Sequence, residues 1–170
     1  MFSVSMPDRN SAPDMDMLVK QYGDSLLRMC FLYLKDIHLA EDAVQDTLLK
    51  VYEKYSGFDQ NCAEKTWMMR IAINVCKNYL RASWWKRIDA DAVLENFPAA
   101  ERDEQDETLI RSIMELSPKY KEVILLHYYQ EMKVREISEA LGVPEGTISV
   151  RLKRARESLK TKLKGWYYDE

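Results

Sequence analysis

Almost every ordered stretch of this chain repeats its apolar residues at intervals of three and four, and five glycines with five prolines are too few to punctuate a set of strands. That pattern predicts helices over residues 16–35, 37–55, 64–84, 107–116, 119–130, 134–141 and 144–163. The expected fold is therefore all-α. Three helices come first, then a stretch without apolar periodicity, then four more, which suits two small helical domains within 170 residues. The expected boundaries are a disordered N-terminus over 1–14, a three-helix unit over 15–88, a flexible acidic linker over 89–106, a four-helix unit over 107–165 and a tail over 166–170.

The net charge of -3 hides how unevenly charge is distributed, and distribution is what a phosphate backbone senses. Residues 70–88 hold five basic side chains and no acid, residues 89–107 hold eight acids against Arg102 alone, and residues 133–164 hold nine basic side chains against four acids. Two basic blocks thus flank an acidic connector. Cys30, Cys62 and Cys76 are an odd set with no close pair in sequence, and two of them fall in apolar helical surroundings, which suits a reducing cytoplasm. With only His38 and His127 and no CxxC, no metal or cofactor is expected. Residues 1–14 lack the apolar core of a signal peptide, and no run approaches the ~20 apolar residues that span a bilayer.

In the second helix Asp36 is placed to cap the start, and Ala40, Val44, Thr47, Leu48, Val51 and Tyr55 share a buried stripe. The opposite face carries Glu41, Asp42, Gln45, Asp46, Leu49 and Glu53. Acidic faces are usually only solvated, but an apolar Leu49 among the acids marks a docking point for a basic partner. The polar loop 56–63 leads to a third helix, with Trp67, Ile71, Val75 and Leu80 expected in the core. Its remaining positions offer Arg70, Asn74, Lys77, Asn78, Tyr79, Arg81, Trp84, Trp85 and Lys86. Cations for phosphates interleaved with aromatic rings for stacking are the composition that holds unpaired nucleotides.

Near the C-terminus, VREISEALGVPEGTISVRLKRARESL reads as a helix-turn-helix. Ile137 and Leu141 pack the first helix, Gly142 supplies the turn and Pro144 suits a first helical turn. Small Ser138 lets the helices cross closely, while Ile148, Leu152, Ala155 and Leu159 face inward. Glu145, Thr147, Ser149 and Lys153 are left for base edges, and Arg151, Arg154 and Arg156 for phosphates.

A helix-turn-helix alone suits many regulators, but here it is tethered to a second basic, aromatic helical unit. The combination resembles the sigma-70 family, specifically the small extracytoplasmic-function sigma factors of bacteria. AEDAVQDTLLKVYEKY is similar to the family's region 2.2, KTWMMRIAINVCKNYLRA to regions 2.3 and 2.4, and LSPKYKEVILLHYYQEMKVREISEALGVPEGTISVRLKRARESL to region 4, so the resemblance spans residues 17–163. It implies a non-enzymatic, cytoplasmic initiation factor that binds core RNA polymerase and directs it to a subset of promoters. Glu41, Asp42, Gln45, Asp46, Leu49 and Glu53 would dock on the clamp helices of the polymerase's largest subunit. The aromatic and basic set of the third helix would help melt the minus-10 element, with a flipped base held against loop 56–63 through Phe58 and Asn61. Glu145, Gly146, Thr147, Ser149, Arg151, Lys153, Arg154 and Arg156 would read the duplex minus-35 element. An anti-sigma factor, which can hold such a protein at the membrane, would restrain it.

The chain departs from the family pattern at Ser149, where many members carry a basic residue, at Ser138, where Ala is usual, and in the Trp84–Trp85 pair. A promoter sequence therefore does not transfer from a relative. The competing reading is a two-domain regulator that binds duplex DNA tightly without a polymerase. A hydrolase or metal enzyme finds no support, because no paired His and carboxylate and no Gly-rich phosphate loop occur.

Overall fold

The computed structural model describes residues 12–82 and 104–167, and within them every regular element is helical. The chain enters helix α1 (Met15–Leu34) at Asp14, whose carboxylate accepts the Met17 N–H at 3.1 Å. The disorder expected through residue 14 therefore gives way to an ordered cap, while residues 1–11 lie outside the described residues. Phe31, Leu32, Tyr33 and Leu34 are all buried. Four successive helical residues sweep the whole circumference, so the end of α1 is enclosed on every side. Lys35 then turns left-handed at φ 59°, and the Asp36 carboxylate accepts from His38 and Leu39 N–H at 2.9 and 3.0 Å to start α2 (Ile37–Lys54).

The α2 stripe packs as expected, with Ala40, Thr47 and Val51 buried, Val44 and Leu48 half-buried, and Ala43 added to it. A 3₁₀ turn (Tyr55–Gly57) follows, and the Tyr55 hydroxyl donates to Glu64 at 2.6 Å across the loop. In α3 (Glu64–Ala82) the expected core needs correction. Val75 is buried, but Trp67 and Ile71 are rim residues and Leu80 is 40% exposed, while Met68, Met69, Ala72, Ile73 and Cys76 fill the interior. Helix α3 packs against α1 and α2 on one side and the second unit on another, so its buried arc is wider than one stripe. Cys30 and Cys76 meet across α1 and α3 in a thiol hydrogen bond, and that contact with burial pushes the Cys76 thiol far up. Two residues without a close pair in sequence are thus neighbours in space.

The second unit opens with α4 (Glu104–Met114), which begins inside the stretch expected as linker. Acidic residues at a helix N-terminus complement its dipole, so a charge-rich run that looks like tether can start a helix. The rest of the linker lies outside the described residues. Helix α5 (Pro118–Ile124) starts on Pro at its first position and then widens into a π turn (Leu125–Tyr129), so the single helix expected over 119–130 is two geometries in series. Leu125 and Leu126 stay buried through it.

The helix-turn-helix follows as α6 (Val134–Leu141) and α7 (Glu145–Tyr167). Glu136 reaches back to the Lys133 N–H at 2.7 Å, and Gly142, at φ 66°, lets its own N–H and that of Val143 close on the Ser138 carbonyl at 2.9 and 3.2 Å. Ser138 also donates its hydroxyl to the Val143 carbonyl at 2.6 Å, so the small residue expected for close crossing serves as the clasp of the turn. Pro144 sits one residue before α7, its carbonyl accepting from Thr147 and Ile148. Nothing lies within 4 Å of a Cβ built on Gly142. Gly142→Val is therefore expected to cost backbone strain only, about 1–2 kcal/mol, and Gly142→Asn a few tenths, as read from thermal unfolding followed by circular dichroism.

Candidate nucleic-acid interface

Three surfaces emerge. On α2, Glu41, Asp42, Gln45 and Glu53 are exposed, with Leu49 at 61% and Tyr52 at 54%. Tyr52 was not anticipated, although its place three residues after Leu49 puts both on one helical face. Asp46 differs from its neighbours. It is half-buried and accepts the Tyr79 hydroxyl at 2.7 Å, which ties the acidic face to α3.

At about 100° per residue, Arg70, Asn74, Lys77 and Arg81 fall on one stripe of α3 and Asn78 beside it. Arg70, Asn74, Asn78 and Arg81 are exposed. Tyr79 points the other way, and its bond to Asp46, together with burial, pushes its phenol up to about 12. The ring expected to meet a base is thereby committed to α2. Phe58 is likewise engaged, stacked on Trp67 at 4.8 Å between ring centroids, so it closes the loop against α3 rather than standing free. Asn61 is exposed and held by Asp59. Trp84, Trp85 and Lys86 lie outside the described residues.

The third surface is α7. Ile148, Leu152 and Ala155 are buried and Leu159 is packed against the core, which turns Glu145, Gly146, Thr147, Ser149, Lys153, Arg154 and Arg156 to the exterior. Two of these cations rest on tyrosines of the α5 segment. Arg156 donates to the Tyr128 hydroxyl at 2.6 Å and lies 5.6 Å from its ring centroid. A hydrogen bond from Arg154 lowers the Tyr120 phenol below its ordinary value. Such braces restrict the freedom of these long side chains. Arg151 is only half-exposed and faces the first unit.

The two units meet through contacts that sequence reasoning missed. Glu122, buried on α5, accepts the Tyr33 hydroxyl of α1 and pairs with Lys77 at 3.0 Å. Burial, then the Glu122 carboxylate, drive the Tyr33 phenol far above its ordinary value. Beside them Gln130 exchanges hydrogen bonds with Ser25 and receives Lys65 on its carbonyl. Glu122 did carry a signal, since an acid within the apolar run YKEVILL must find partners if it is buried. Lys77, expected on the nucleotide face, is in this arrangement bound to the other unit.

Lys121, one residue away, is pushed down to about 8 by burial and then by the Lys35 charge. The unfolded chain therefore binds this proton more tightly, and stability should rise as pH climbs from about 8 toward 10.5. Lys121→Met is expected to flatten that rise in pH-dependent thermal melts, most cleanly below pH ~9.5, before tyrosines titrate.

Comparison with known proteins adds independent findings. The model of Sigma-70 region 2 matches residues 18–86 and that of Sigma-70, region 4 matches residues 106–159. The chain is 31% identical over 164 residues to the ECF RNA polymerase sigma factor SigW of Bacillus subtilis, covering 86% of this chain and 87% of the relative. It is 28% identical to the RNA polymerase sigma-H factor of Pseudomonas aeruginosa, with 85% and 83% covered. Among solved structures it resembles the sigma factor RpoE of Bartonella quintana, crystallised with the anti-sigma factor NepR, at TM-score 0.74 and 23% identity over 92% of this chain and 99% of that one. A second likeness, to CnrH in complex with the cytosolic domain of CnrY, has TM-score 0.70 and 23% identity over 89% and 88%. These two likenesses establish the fold.

Proposed function

Because the chain belongs to the sigma-70 family of RNA polymerase sigma factors, within its extracytoplasmic-function branch, we propose that it binds core polymerase through α2 and reads promoters through two separate DNA contacts. Its role is promoter-specific initiation by RNA polymerase, and in this reading the chain carries no bond chemistry of its own. The observation that carries the finer reading is the pairing of two differently built surfaces. Helix α7 presents short polar residues at its start and cations further along, the order in which a recognition helix meets base edges and then phosphates. Helix α3 presents Arg70, Asn74, Asn78 and Arg81 beside the exposed Asn61 loop, which suits unpaired nucleotides of a melted minus-10 element.

In this reading Glu145, Thr147, Ser149 and Lys153 choose the minus-35 sequence, and Arg151, Arg154 and Arg156 hold its phosphates. Glu41, Asp42, Gln45, Leu49 and Glu53, joined by Tyr52, dock on a basic surface of the polymerase. Asp46 and Tyr79 orient the junction between that docking face and the minus-10 helix. Residues 15–88 and 107–165 act as two arms, and the acidic stretch between them spans the polymerase interior. The protein works in the cytoplasm, where the polymerase is. The two similar structures were each solved in complex with a binding partner, one of them named as an anti-sigma factor. That supports an anti-sigma factor for this chain as well.

The test compares promoter binding by the free protein and by the protein with core polymerase, in a mobility-shift titration at fixed salt. Specific binding should be weak alone and strengthen by at least about tenfold with core enzyme. Equally tight specific binding by the free protein would favour a polymerase-independent regulator.

A further inference from the structure

Where the two units meet, the end of α1, the C-terminal turns of α3, the start of α5 and the face of α7 line a cleft of about 550 Å³. Its walls bring together Lys35, Lys77, Lys119, Lys121 and Arg151 against one carboxylate, that of Glu122. Glu122 is already committed to Tyr33 and Lys77. Among the described residues, no carboxylate pairs with Lys35, Lys121 or Arg151. Five cations share this partly buried space with a single carboxylate, and burial first, then the neighbouring Lys35 charge, hold the proton affinity of Lys121 below its ordinary value.

We propose that this cleft is a binding site for a nucleoside polyphosphate. Cations converging from four helices suit a multivalent phosphate, which accepts several charge-assisted hydrogen bonds at once. The volume lies in the range of small-molecule sites. Leu80, 40% exposed, and Pro118 on the same walls offer an apolar seat for a base. The ligand would bridge both units and draw one cation from each DNA-contacting helix, Lys77 from α3 and Arg151 from α7. Its binding would therefore oppose promoter binding. The site goes beyond the promoter reading, and its occupancy can be measured without polymerase or DNA.

Isothermal titration of the full chain with GDP, inorganic pyrophosphate, guanosine and a hexaglutamate peptide, at about 0.1 M salt, tests the site. GDP is expected to bind saturably at one site, pyrophosphate more weakly because it leaves the apolar wall empty, and guanosine not at all. Lys121→Gln and Lys35→Asn, the latter chosen because Asn accepts the left-handed backbone at this position, should each weaken GDP about tenfold or more. Lys160→Gln, on exposed α7 away from the cleft, should change nothing. Affinity should fall between about pH 7 and 9 as Lys121 loses its proton, the facing groups being Lys35, Lys77, Lys119, Arg151, Glu122 and Tyr33. A readout on the unaltered protein is acetylation of Lys121, which GDP should slow and guanosine should not. Absence of saturable GDP binding, unchanged affinity in both variants, or no protection of Lys121 would overturn the site. Pyrophosphate binding as tight as GDP would overturn the nucleotide assignment, and tighter capture of hexaglutamate would make the cleft a seat for an acidic protein segment.

Discussion

Leu49→Asp should weaken binding to core RNA polymerase by about a hundredfold or more while leaving the fold unchanged. Leu49 is 61% exposed, so its own chain loses almost no packing when the side chain changes. At a docked interface, however, a central apolar anchor contributes at least ~2 kcal/mol, and a carboxylate in its place must also be desolvated without a partner. Analytical ultracentrifugation or fluorescence anisotropy with purified core enzyme reads the loss, and thermal unfolding supplies the folding control. Binding that survives would mean that the α2 face is only solvated surface.

Ile148→Asp should unfold the C-terminal unit. Ile148 is fully buried near the start of α7, where α7 crosses α6 behind the Gly142 turn. The substitution removes a packed branched side chain and places an unpaired carboxylate in the same apolar space, two costs that together reach at least ~4 kcal/mol. Against a typical stability of 5–15 kcal/mol, that is enough to melt the helix-turn-helix and with it the proposed minus-35 recognition. Circular dichroism should show lost helical signal and a lowered or split melting transition. Ser149→Ala, one residue on but exposed, should leave the melting curve in place, so the contrast separates a core position from a surface one.

The difference between these neighbouring positions is legible in the sequence, because local periodicity encodes it. The α7 residues Ile148, Leu152 and Ala155 recur at three and four, and all are buried. The same is true of the α2 stripe, of the Asp36 cap and of the Gly142 turn, each decided by residues within one or two turns. The failures share a different cause. Helix α3 is covered on more than one side, so a single-stripe reading left out Met68, Met69, Ile73 and Cys76 and put Leu80 inside. The contacts of Phe58 with Trp67 and of Tyr79 with Asp46 were not foreseen, because they are set by how the loop and helices meet. The Tyr33–Glu122–Lys77 and Ser25–Gln130–Lys65 contacts join residues of different units, and no local spacing records them. Only the chemistry of a buried acid hinted that Glu122 needed company.

Those inter-unit contacts also bear on function. Lys77 is paired with Glu122 while the units are docked, so separating them would free this cation for the proposed nucleotide contact. Loading onto polymerase and opening of the Glu122 contact are therefore expected to go together.

The central claim is most directly tested by run-off transcription from a genomic promoter library, with purified core polymerase and the full chain. The account predicts a restricted set of new transcripts that disappears with Leu49→Asp. No stimulated transcript from folded protein, with core enzyme shown to be active by another sigma factor, would contradict it.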